Sequence, residues 1–491
     1  MLGGVRMTQK FSMERAKLVK IAICFLIVAI FWVMPAPAPM TTAGIRVIGV
    51  FIATVILLSA VDTVWPAMLA VVLLSRTGAT TLNGAISGSL GNWVVYFVLM
   101  TFIMTHALNE SGFTSRLVAK FMSQKFVNRN PWTFTISLGV LGMILGAFID
   151  QVPAAAFMLA FVNRIYQELG YSKDDSYPHI TNIITLFGVN IGGAMTPISH
   201  SLIILGLGVY ESATGQSISL FTYLLFGIPT GIVLFAIMAL IIRLIAKPDF
   251  GKFKNFDVSR VLDQQGPMDL REKVTVFVFF LTVLLWIIPG FLKLFIPDAA
   301  FVTALNSYGI TFWATLSVVL MGIISIDNKP LIDVRDIVNK HINWGILIFI
   351  SIGVYFGSVI CAEETGVNAF MSAYISPLIS HVPTMAVVLI IAYAAVFMTN
   401  FASNVSTITV MTGLGVALGM STGVVNLVAI SMVTSFCGSA AYLMPSSFAV
   451  IAMLHGNEYS SKNQIYKYGI IMMLLTPLVV TLIGYTLGTI L

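Results

Sequence analysis

The chain is a succession of long apolar stretches separated by short polar loops. A helix that crosses a bilayer core needs about 20 mostly apolar residues, and shorter runs suffice where flanking residues complete the span. Only 9% of the residues are charged, against roughly 25% in water-soluble domains. These features exclude a water-soluble fold. They predict an all-α polytopic membrane protein whose main partner is the lipid bilayer.

Eleven of the stretches have the character of single membrane spans. Their approximate cores are Ile21–Met34, Ile45–Val61, Val64–Leu74, Trp93–Leu108, Ile180–Leu207, Phe221–Ala246, Val274–Phe295, Ile310–Ile326, Trp344–Ala362, Val425–Leu454 and Tyr468–Leu491. Two further stretches, Trp132–Val162 and Thr384–Leu418, are too long for one helix and are interrupted midway by polar residues. We interpret both as re-entrant hairpins. The basic N-terminus and the prolines after the first run resemble a signal peptide, but we expect this run to be retained as a first helix.

The distribution of lysine and arginine tests this arrangement, because short cytoplasmic loops are enriched in both residues. With a cytoplasmic N-terminus and two hairpins that return to their own side, 23 of the 26 basic residues lie inside. Arg46, Arg76 and Lys293 remain outside. Counting either hairpin as a full span would invert everything after it. The pattern therefore favours eleven spans with the C-terminus outside, and we expect the chain in the bacterial cytoplasmic membrane.

The two hairpins belong to an internal repeat. In the first half the polar interruption at Asp150-Gln151 is followed by a Gly/Pro interruption at 192–197, and in the second half Ser403-Asn404 is followed by one at 438–447. Gln151 and Pro197 are 46 residues apart, whereas Asn404 and Pro445 are 41 apart. Because the first hairpin would open from the cytoplasm and the second from the exterior, the pattern predicts an inverted-topology repeat.

This repeat divides the chain into five regions. We predict N-terminal scaffold helices over 1–131, a first repeat core over 132–246, a cytoplasmic amphipathic connector over 247–273, second scaffold helices over 274–383 and a second repeat core over 384–491. The first core contains the tip at 150–152 and the broken helix at 192–197, and the second contains the tip at 403–405 and the broken helix at 438–447.

The four interruptions are the predicted site. Non-helical backbone at membrane depth is tolerated where it is buried in protein or lines a wet cavity. Each interruption exposes N–H groups at a helix N-terminus, where the dipole favours anions, and carbonyls at a C-terminus, which suit Na⁺. The basic residues in or beside the predicted spans, Arg46, Arg76, Arg243 and Lys293, all lie near span ends, and no other basic residue lies inside a membrane segment. We therefore expect an anion at the midplane to be held by dipoles and neutral donors.

At these residues the chain resembles the divalent anion:sodium symporter family, the carriers of succinate, malate, citrate and sulfate. Ser403-Asn404-Val405 matches two positions of the family's Ser-Asn-Thr tip motif, and the Gly438–Pro445 run is similar to the family's broken helix. The resemblance implies a substrate-binding set and a coupling-ion set. The substrate-binding set is Gln151, Val152, Thr196, Pro197, Ser403, Asn404, Val405, Pro445, Ser446 and Ser447. The Na⁺ or H⁺ set is Asp150, Gly193, Ser403, Gly438 and His200.

The first tip departs from the family pattern, because Asp150-Gln151-Val152 replaces Ser-Asn-Thr. Gln151 supplies the same amide as asparagine. An ionised Asp150 would repel a dianion unless a cation pairs with it or it is protonated. We predict that Asp150 either neutralises a coupling cation or carries a proton, with helix capping as the alternative. His200 is a candidate proton relay or substrate donor, and a structural role is its alternative.

The resemblance implies a secondary active transporter of C4 or C5 dicarboxylates that works by elevator-type alternating access. Exchange, Na⁺ symport and H⁺ symport remain open. The alternative is a cation exchanger, or a carrier of citrate, sulfate or arsenite, with the same architecture. No Gly-x-x-x-x-Gly-Lys-Ser/Thr loop is present, and the three cysteines lie singly in apolar stretches. We expect no enzymatic activity, no cofactor other than Na⁺, no structural metal, no nucleic-acid partner and, from the resemblance, a homodimer.

Overall fold

The computed structural model describes residues 15–253, 266–296 and 298–491, and these residues are mainly α-helical. The first half of the chain contains α1 (Arg15–Val33), α2 (Thr42–Ala60), α3 (Trp65–Leu74), α4 (Leu82–Ser89), α5 (Trp93–Glu110), α6 (Phe113–Met122), α7 (Pro131–Phe148), α8 (Gln151–Leu169), α9 (Ser176–Met195), α10 (Ser201–Thr214) and α11 (Leu220–Ile245). The second half contains α12 (Leu270–Phe295), α13 (Ala300–Ile323), α14 (Val334–Lys340), α15 (Trp344–Cys361), α16 (Val367–Phe370), α17 (Ser376–Ile379), α18 (Thr384–Phe401), α19 (Asn404–Thr422), α20 (Leu427–Gly438), α21 (Ala449–Gly456), α22 (Lys462–Val479) and α23 (Thr486–Ile490).

Shorter elements connect these helices. The strands β1 (Ser325–Ile326) and β2 (Lys329–Pro330) pair antiparallel between α13 and α14. One-turn 3₁₀ segments occur at Val127–Arg129, Gly251–Phe253 and Glu363–Thr365, and π-helical turns at Met371–Ile375 and Val480–Tyr485.

Eleven helical segments of the described chain are long and apolar enough to cross a membrane. Eight of them match spans predicted from the sequence. The other three, α7, α18 and α19, are arms of the two stretches predicted to be hairpins. The all-α polytopic class is therefore confirmed. The re-entrant path of these arms, the inverted repeat and the outward C-terminus stay predictions.

The span predicted at Val64–Leu74 is wrong as a complete crossing. Helix α3 has ten residues and is therefore about 15 Å long, half of a bilayer core. Helix α3 gives way to turns over Ser75–Gly78, where Gly78 has a φ of +92° that favours glycine. The predicted core also ends at Leu74, so the position of the helix was predicted and only its role as a full crossing was not.

Each stretch predicted as a hairpin consists of two helices joined at a short tip. In the first tip, Ile149 adopts an extended conformation that ends α7, and Asp150 caps α8. In the second tip, Ala402 leaves the helical conformation and Ser403 is extended, so that α19 begins at Asn404. Pro153 lies in the first turn of α8, where its missing N–H costs no helical hydrogen bond.

Two of the predicted spans are broken near their middle. The span at Ile180–Leu207 consists of α9 and α10, separated by the first break, residues 196–200. The span at Val425–Leu454 consists of α20 and α21, separated by the second break, residues 439–448. Each break contains the proline noted in the sequence. The polar and Gly/Pro interruptions therefore mark the ends of helices in both halves of the chain.

Helices α7 and α9 approach each other through glycines. A Cβ atom added at Gly192 would lie 2.0 Å from the Met143 carbonyl oxygen, and one at Gly146 would lie 2.2 Å from that of Val189. Small residues at such spacing let membrane helices pack backbone to backbone. This contact fixes α9, and with it the first break, against the arm that leads to the first tip.

We expect Gly192→Ala to destabilise the protein by roughly 3 kcal/mol, because two backbones must separate to admit one methyl group. The measurement is the thermal unfolding midpoint of the detergent-solubilised protein. Gly413→Ala is the matched control, since a Cβ at this helical glycine of α19 meets no atom within 4 Å. Equal unfolding midpoints for the two variants would contradict the close α7–α9 contact.

The described ends of the predicted connector pack against the first repeat core and α6. Lys252 Nζ lies 2.7 Å from Asp175 Oδ2, and Arg116 forms two 2.7 Å hydrogen bonds with the carboxylate of Glu272. The hydrogen bond from Lys252 lowers the pKa of Asp175 below its ordinary value. The middle of the connector, 254–265, lies outside the described residues.

Candidate functional site

The two tips and the two breaks meet at one cavity of about 620 Å³. The tips contribute Asp150 and Asn404, and the breaks contribute His200 and Ser447. The four interruptions of the sequence thus surround a single space. A second cavity of about 320 Å³, between α5, α10, α12 and α13, contains none of the predicted site residues.

Four helices of the two predicted repeat cores, α8, α10, α19 and α21, begin at this cavity, and residues of their first turns line it, as does Ile346 in the first turn of α15. Asp150 Oδ1 accepts a hydrogen bond of 3.0 Å from the Val152 N–H and so caps α8. Among the described residues, no side chain caps α10, α19 or α21. First-turn N–H groups have no partner within their own helix, and the helix dipole adds positive potential there. The arrangement suits an anion.

At the second tip, Asn404 is among the residues that line the cavity and is 1% exposed. Asn404 Oδ1 lies 2.8 Å from Thr399 Oγ1, whose hydroxyl also donates to the Gly438 carbonyl. The Nδ2 group has only a long contact of 3.5 Å with the Ser439 carbonyl. Asn404 therefore retains donor capacity for a ligand, beside the uncapped N-terminus of α19.

The first tip is arranged differently. The Gln151 side chain is 1% exposed, and its Nε2 donates to the Asn190 carbonyl (3.1 Å) and Asn190 Oδ1 (3.3 Å). It packs against Gly193, where any Cβ would collide with it. Gln151 thus lies behind the cavity surface, and Asp150 and Val152 are the residues of this tip that line the space.

Two buried asparagines that the sequence analysis did not select hold the second break in place. Asn400 Oδ1 accepts from the N–H groups of Tyr442 (2.7 Å) and Leu443 (2.9 Å), and its Nδ2 donates to the Ala440 carbonyl (3.0 Å). Asn190 donates to the Ala441 carbonyl from the other half of the chain. An amide inside an apolar helix is the signal that points to such residues, because it needs partners.

The first break is anchored to the end of α7. Thr196 Oγ1 donates to the Ala147 carbonyl, and Ser199 Oγ donates to the Gly146 carbonyl at 2.6 Å. His200 follows in the same break, with its side chain buried and its ring 6.0 Å from that of Phe448. These contacts fix the entry to α10 at the cavity.

The opposite wall of the cavity comes from α5 and from the segment between α14 and α15. Thr105, His106 and Asn109 contribute from α5, and His341 and Asn343 from the other segment. We call these five residues the opposite wall. No sequence pattern indicates these residues, because no local pattern brings residues more than 200 positions apart together. No lysine or arginine of the described chain lines the cavity.

Nine of the predicted site residues line this cavity: Asp150, Val152, His200, Ser403, Asn404, Val405, Pro445, Ser446 and Ser447. Five do not: Gln151, Gly193, Thr196, Pro197 and Gly438. These five surround the space from behind, where side-chain amides, hydroxyls and glycines fix the helix ends. Their predicted roles, like those of the nine, stay predictions.

Buried oxygen atoms behind the tips bear on the predicted cation sites. Gln151 Oε1 and Thr407 Oγ1 are buried without a hydrogen-bond partner among the described residues. Gln151 begins α8, and Thr407 lies in the first turn of α19. Neutral oxygens of this kind are ligands for hard cations. Within the described ranges, no cluster of three or more His, Cys, Asp or Glu residues could hold a metal ion.

Solved structures with a similar fold are transporters. The chain matches the Alcanivorax borkumensis YdaH transporter with a TM-score of 0.58 and 11% identity over 96% of this chain and 98% of that one. It matches Neisseria gonorrhoeae MtrF, described within a class of antimetabolite efflux pumps, with a TM-score of 0.58 and 11% identity over 97% and 95%. At these identities the likeness concerns the fold alone.

Relatives found by sequence indicate the family of the chain, and not only its fold. The sodium-dependent dicarboxylate transporter SdcS of Staphylococcus saprophyticus is 26% identical over 82% of this chain and 78% of its own length. SdcS of Staphylococcus aureus is 24% identical over 94% and 89%. The family model for the sodium:sulfate symporter transmembrane region matches residues 15–491. The chain therefore belongs to the sodium:sulfate symporter family, as the resemblance of its tip and break motifs predicts.

Proposed function

We propose that this chain transports small dicarboxylates of the C4 or C5 class, such as succinate, malate and 2-oxoglutarate, across the bacterial cytoplasmic membrane. One observation carries the proposal: four helix N-termini meet at a 620 Å³ cavity lined by no lysine or arginine of the described chain. Such a site attracts a dianion through dipoles and neutral donors and still releases it. The relatives named as sodium-dependent dicarboxylate transporters support the same substrate class.

In this proposal, one substrate carboxylate binds at the second tip. Asn404 Nδ2 and the first N–H groups of α19 are the donors, and Ser403 lies beside them. Ser446 and Ser447 add hydroxyls from the second break. Gln151, Thr196 and Pro197 act from behind, because they keep the ends of α8 and α9 in position. This revises the direct role that the sequence predicts for Gln151.

The coupling cations bind behind the tips. Gln151 Oε1 on one side and Thr407 Oγ1 on the other supply unpartnered oxygens. Carbonyls near Gly193 and Gly438, at the ends of α9 and α20, are further candidate ligands. The names of the relatives favour Na⁺. Asp150 either neutralises one of these cations or carries a proton in place of one.

The transport movement is a displacement of the two repeat cores against the scaffold. The cores comprise α7–α11 and α18–α23, each with a re-entrant hairpin and a broken helix in inverted orientation. The cavity supports this division, because its two sides come from the core helices and from α5, α14 and α15. The scaffold would also form the homodimer, with the N-terminus cytoplasmic and the C-terminus outside.

The test is uptake of labelled succinate, malate and 2-oxoglutarate into liposomes that contain the purified protein. Internal dicarboxylate, Na⁺ and pH gradients are varied independently. We expect an inward Na⁺ gradient to raise the initial rate by about tenfold, a typical coupling of 1.4 kcal/mol. A requirement for internal dicarboxylate without Na⁺ would indicate exchange. Absence of uptake under every condition would contradict the proposal and favour a cation exchanger or a carrier of citrate, sulfate or arsenite.

A further inference from the structure

The opposite wall contains two stacked imidazoles. The rings of His106 and His341 have centroids 4.2 Å apart and planes inclined by 28°. His106 lies in the last two turns of α5, and His341 follows α14. Both line the cavity. Their side chains are 22% and 41% exposed, so protons and ions from the cavity reach them.

We propose that His106 and His341 form a proton-dependent subsite for a substrate carboxylate, on the wall that faces the tips. The inference rests on the proposed function, since it concerns the dicarboxylate that the tips receive. Histidine is the only residue type lining the cavity, among the described residues, whose side chain can carry a positive charge. Two of the three cavity histidines belong to this pair, and the third is His200.

Two carboxylates lie beside the pair. His106 Nε2 lies 3.3 Å from Glu110 Oε1, and His341 Nε2 lies 3.9 Å from Asp336 Oδ2. Both carboxylates stabilise an imidazolium. Two imidazoliums at this ring separation would repel each other, so the second proton is disfavoured. The subsite that we propose is the state of the pair with a single positive charge.

Lys340 weakens the effect of the Asp336 charge on the histidine pair. Its Nζ lies 2.5 Å from Asp336 Oδ1, and this hydrogen bond lowers the pKa of Asp336. Asp336 stays ionised over the pH range in which histidine titrates, but its charge is already shared. Glu110, the other carboxylate beside the pair, is 62% exposed, so solvent weakens its attraction for an imidazolium and leaves part of the positive charge to an anion. Asp150 and His200, which line the same cavity, are the other titratable groups near the substrate path.

The proposed subsite is accessible from one side of the membrane, the cytoplasmic side. Under the proposed mechanism α5 and α14–α15 remain stationary while the tips move. The loop that contains His341 is cytoplasmic by the distribution of basic residues. Cytoplasmic pH should therefore change the KM for dicarboxylate at the cytoplasmic face, whereas the other face should lack this contribution.

The test uses proteoliposomes and fumarate, which stays doubly ionised over the pH range used. The KM at the cytoplasmic face is measured with that face at about pH 6 and then at about pH 8, while the pH at the other face is held constant. One additional positive charge near the ligand should lower KM by about fivefold at the lower pH. The double variant His106→Gln/His341→Gln should lose this difference and keep the KM that the wild type shows at the higher pH.

His381→Gln is the matched control, because this histidine is exposed and does not line the cavity. Since Asp150 and His200 are present in wild type and in all variants, the difference between variant and wild type is assigned to the pair. If the double variant does not fold, His341→Gln alone, at the more exposed position, should reduce the pH effect. A wild-type pH dependence of KM that persists in either variant would overturn the subsite. Wild-type protein that transports no dicarboxylate would instead contradict the proposed function.

Discussion

Replacing Asn404 with alanine should lower kcat/KM for dicarboxylate uptake by between about tenfold and about a hundredfold. The estimate corresponds to loss of one hydrogen bond to a charged group, roughly 1.5–3 kcal/mol. Asn404 is held by Thr399 at 2.8 Å and has an Nδ2 group with no short partner. Its removal therefore takes a preorganised donor from the cavity and leaves the uncapped N-terminus of α19 in place.

The measurement is the initial rate of labelled succinate uptake as a function of concentration, for protein of equal purity and thermal unfolding midpoint. Asn368→Ala is the control, because Asn368 also donates one hydrogen bond to a carbonyl, that of Cys361, but does not line the cavity. Equal kcat/KM for the Asn404 and Asn368 variants would remove Asn404 from the list of ligands.

The positions of the interruptions could be predicted because they depend on local chemistry. Asp150-Gln151 and Ser403-Asn404 interrupt apolar runs, and the prolines at 197 and 445 prevent the helices from continuing. The structure ends and restarts helices at each of these places. The lengths of the apolar stretches likewise gave eight of the membrane-spanning helices.

The orientation of individual side chains could not be predicted. Gln151 and Asn404 occupy equivalent first positions of α8 and α19, yet Gln151 turns toward Asn190 and Asn404 faces the cavity. This difference depends on the tertiary contact with Gly193 and Asn190, which no local pattern encodes. The opposite wall was missed for the same reason, since His106 and His341 meet only through the packing of α5 against α14.

Asp150 has two candidate roles, helix capping and ion coupling, and the structure is compatible with both. Its Oδ1 caps α8 through the Val152 N–H, so the capping role is present. Its side chain also lines the cavity, where no lysine or arginine of the described chain faces it. An uncompensated carboxylate beside a bound dianion is unfavourable, and a cation or a proton relieves the repulsion. The two roles differ in their need for charge: an uncharged side chain can still cap α8, but it cannot neutralise a cation.

Asp150→Asn should uncouple transport from the ion gradient. Asparagine is as good an N-cap as aspartate, so the fold of the tip should be retained. Without the negative charge, accumulation driven by Na⁺ or pH should fall by at least about tenfold, the consequence of losing roughly 1.4 kcal/mol of coupling. Exchange of internal for external labelled dicarboxylate should continue within about threefold of wild type, since the donors of the second tip are unchanged.

The two activities are measured in the same proteoliposomes, first with an imposed gradient and then with equal ions and dicarboxylate on both sides. Asp269→Asn is the matched control: Asp269 caps α12 through the Glu272 N–H at 2.7 Å and lies away from the cavity. Gradient-driven accumulation that survives in the Asp150 variant would reduce Asp150 to a helix cap. Loss of both activities with an intact fold would favour a cation exchanger, because such a protein has no dicarboxylate exchange that could continue without the carboxylate. Retained exchange with lost accumulation would assign Asp150 to the coupling ion and leave the dicarboxylate to the helix N-termini and Asn404.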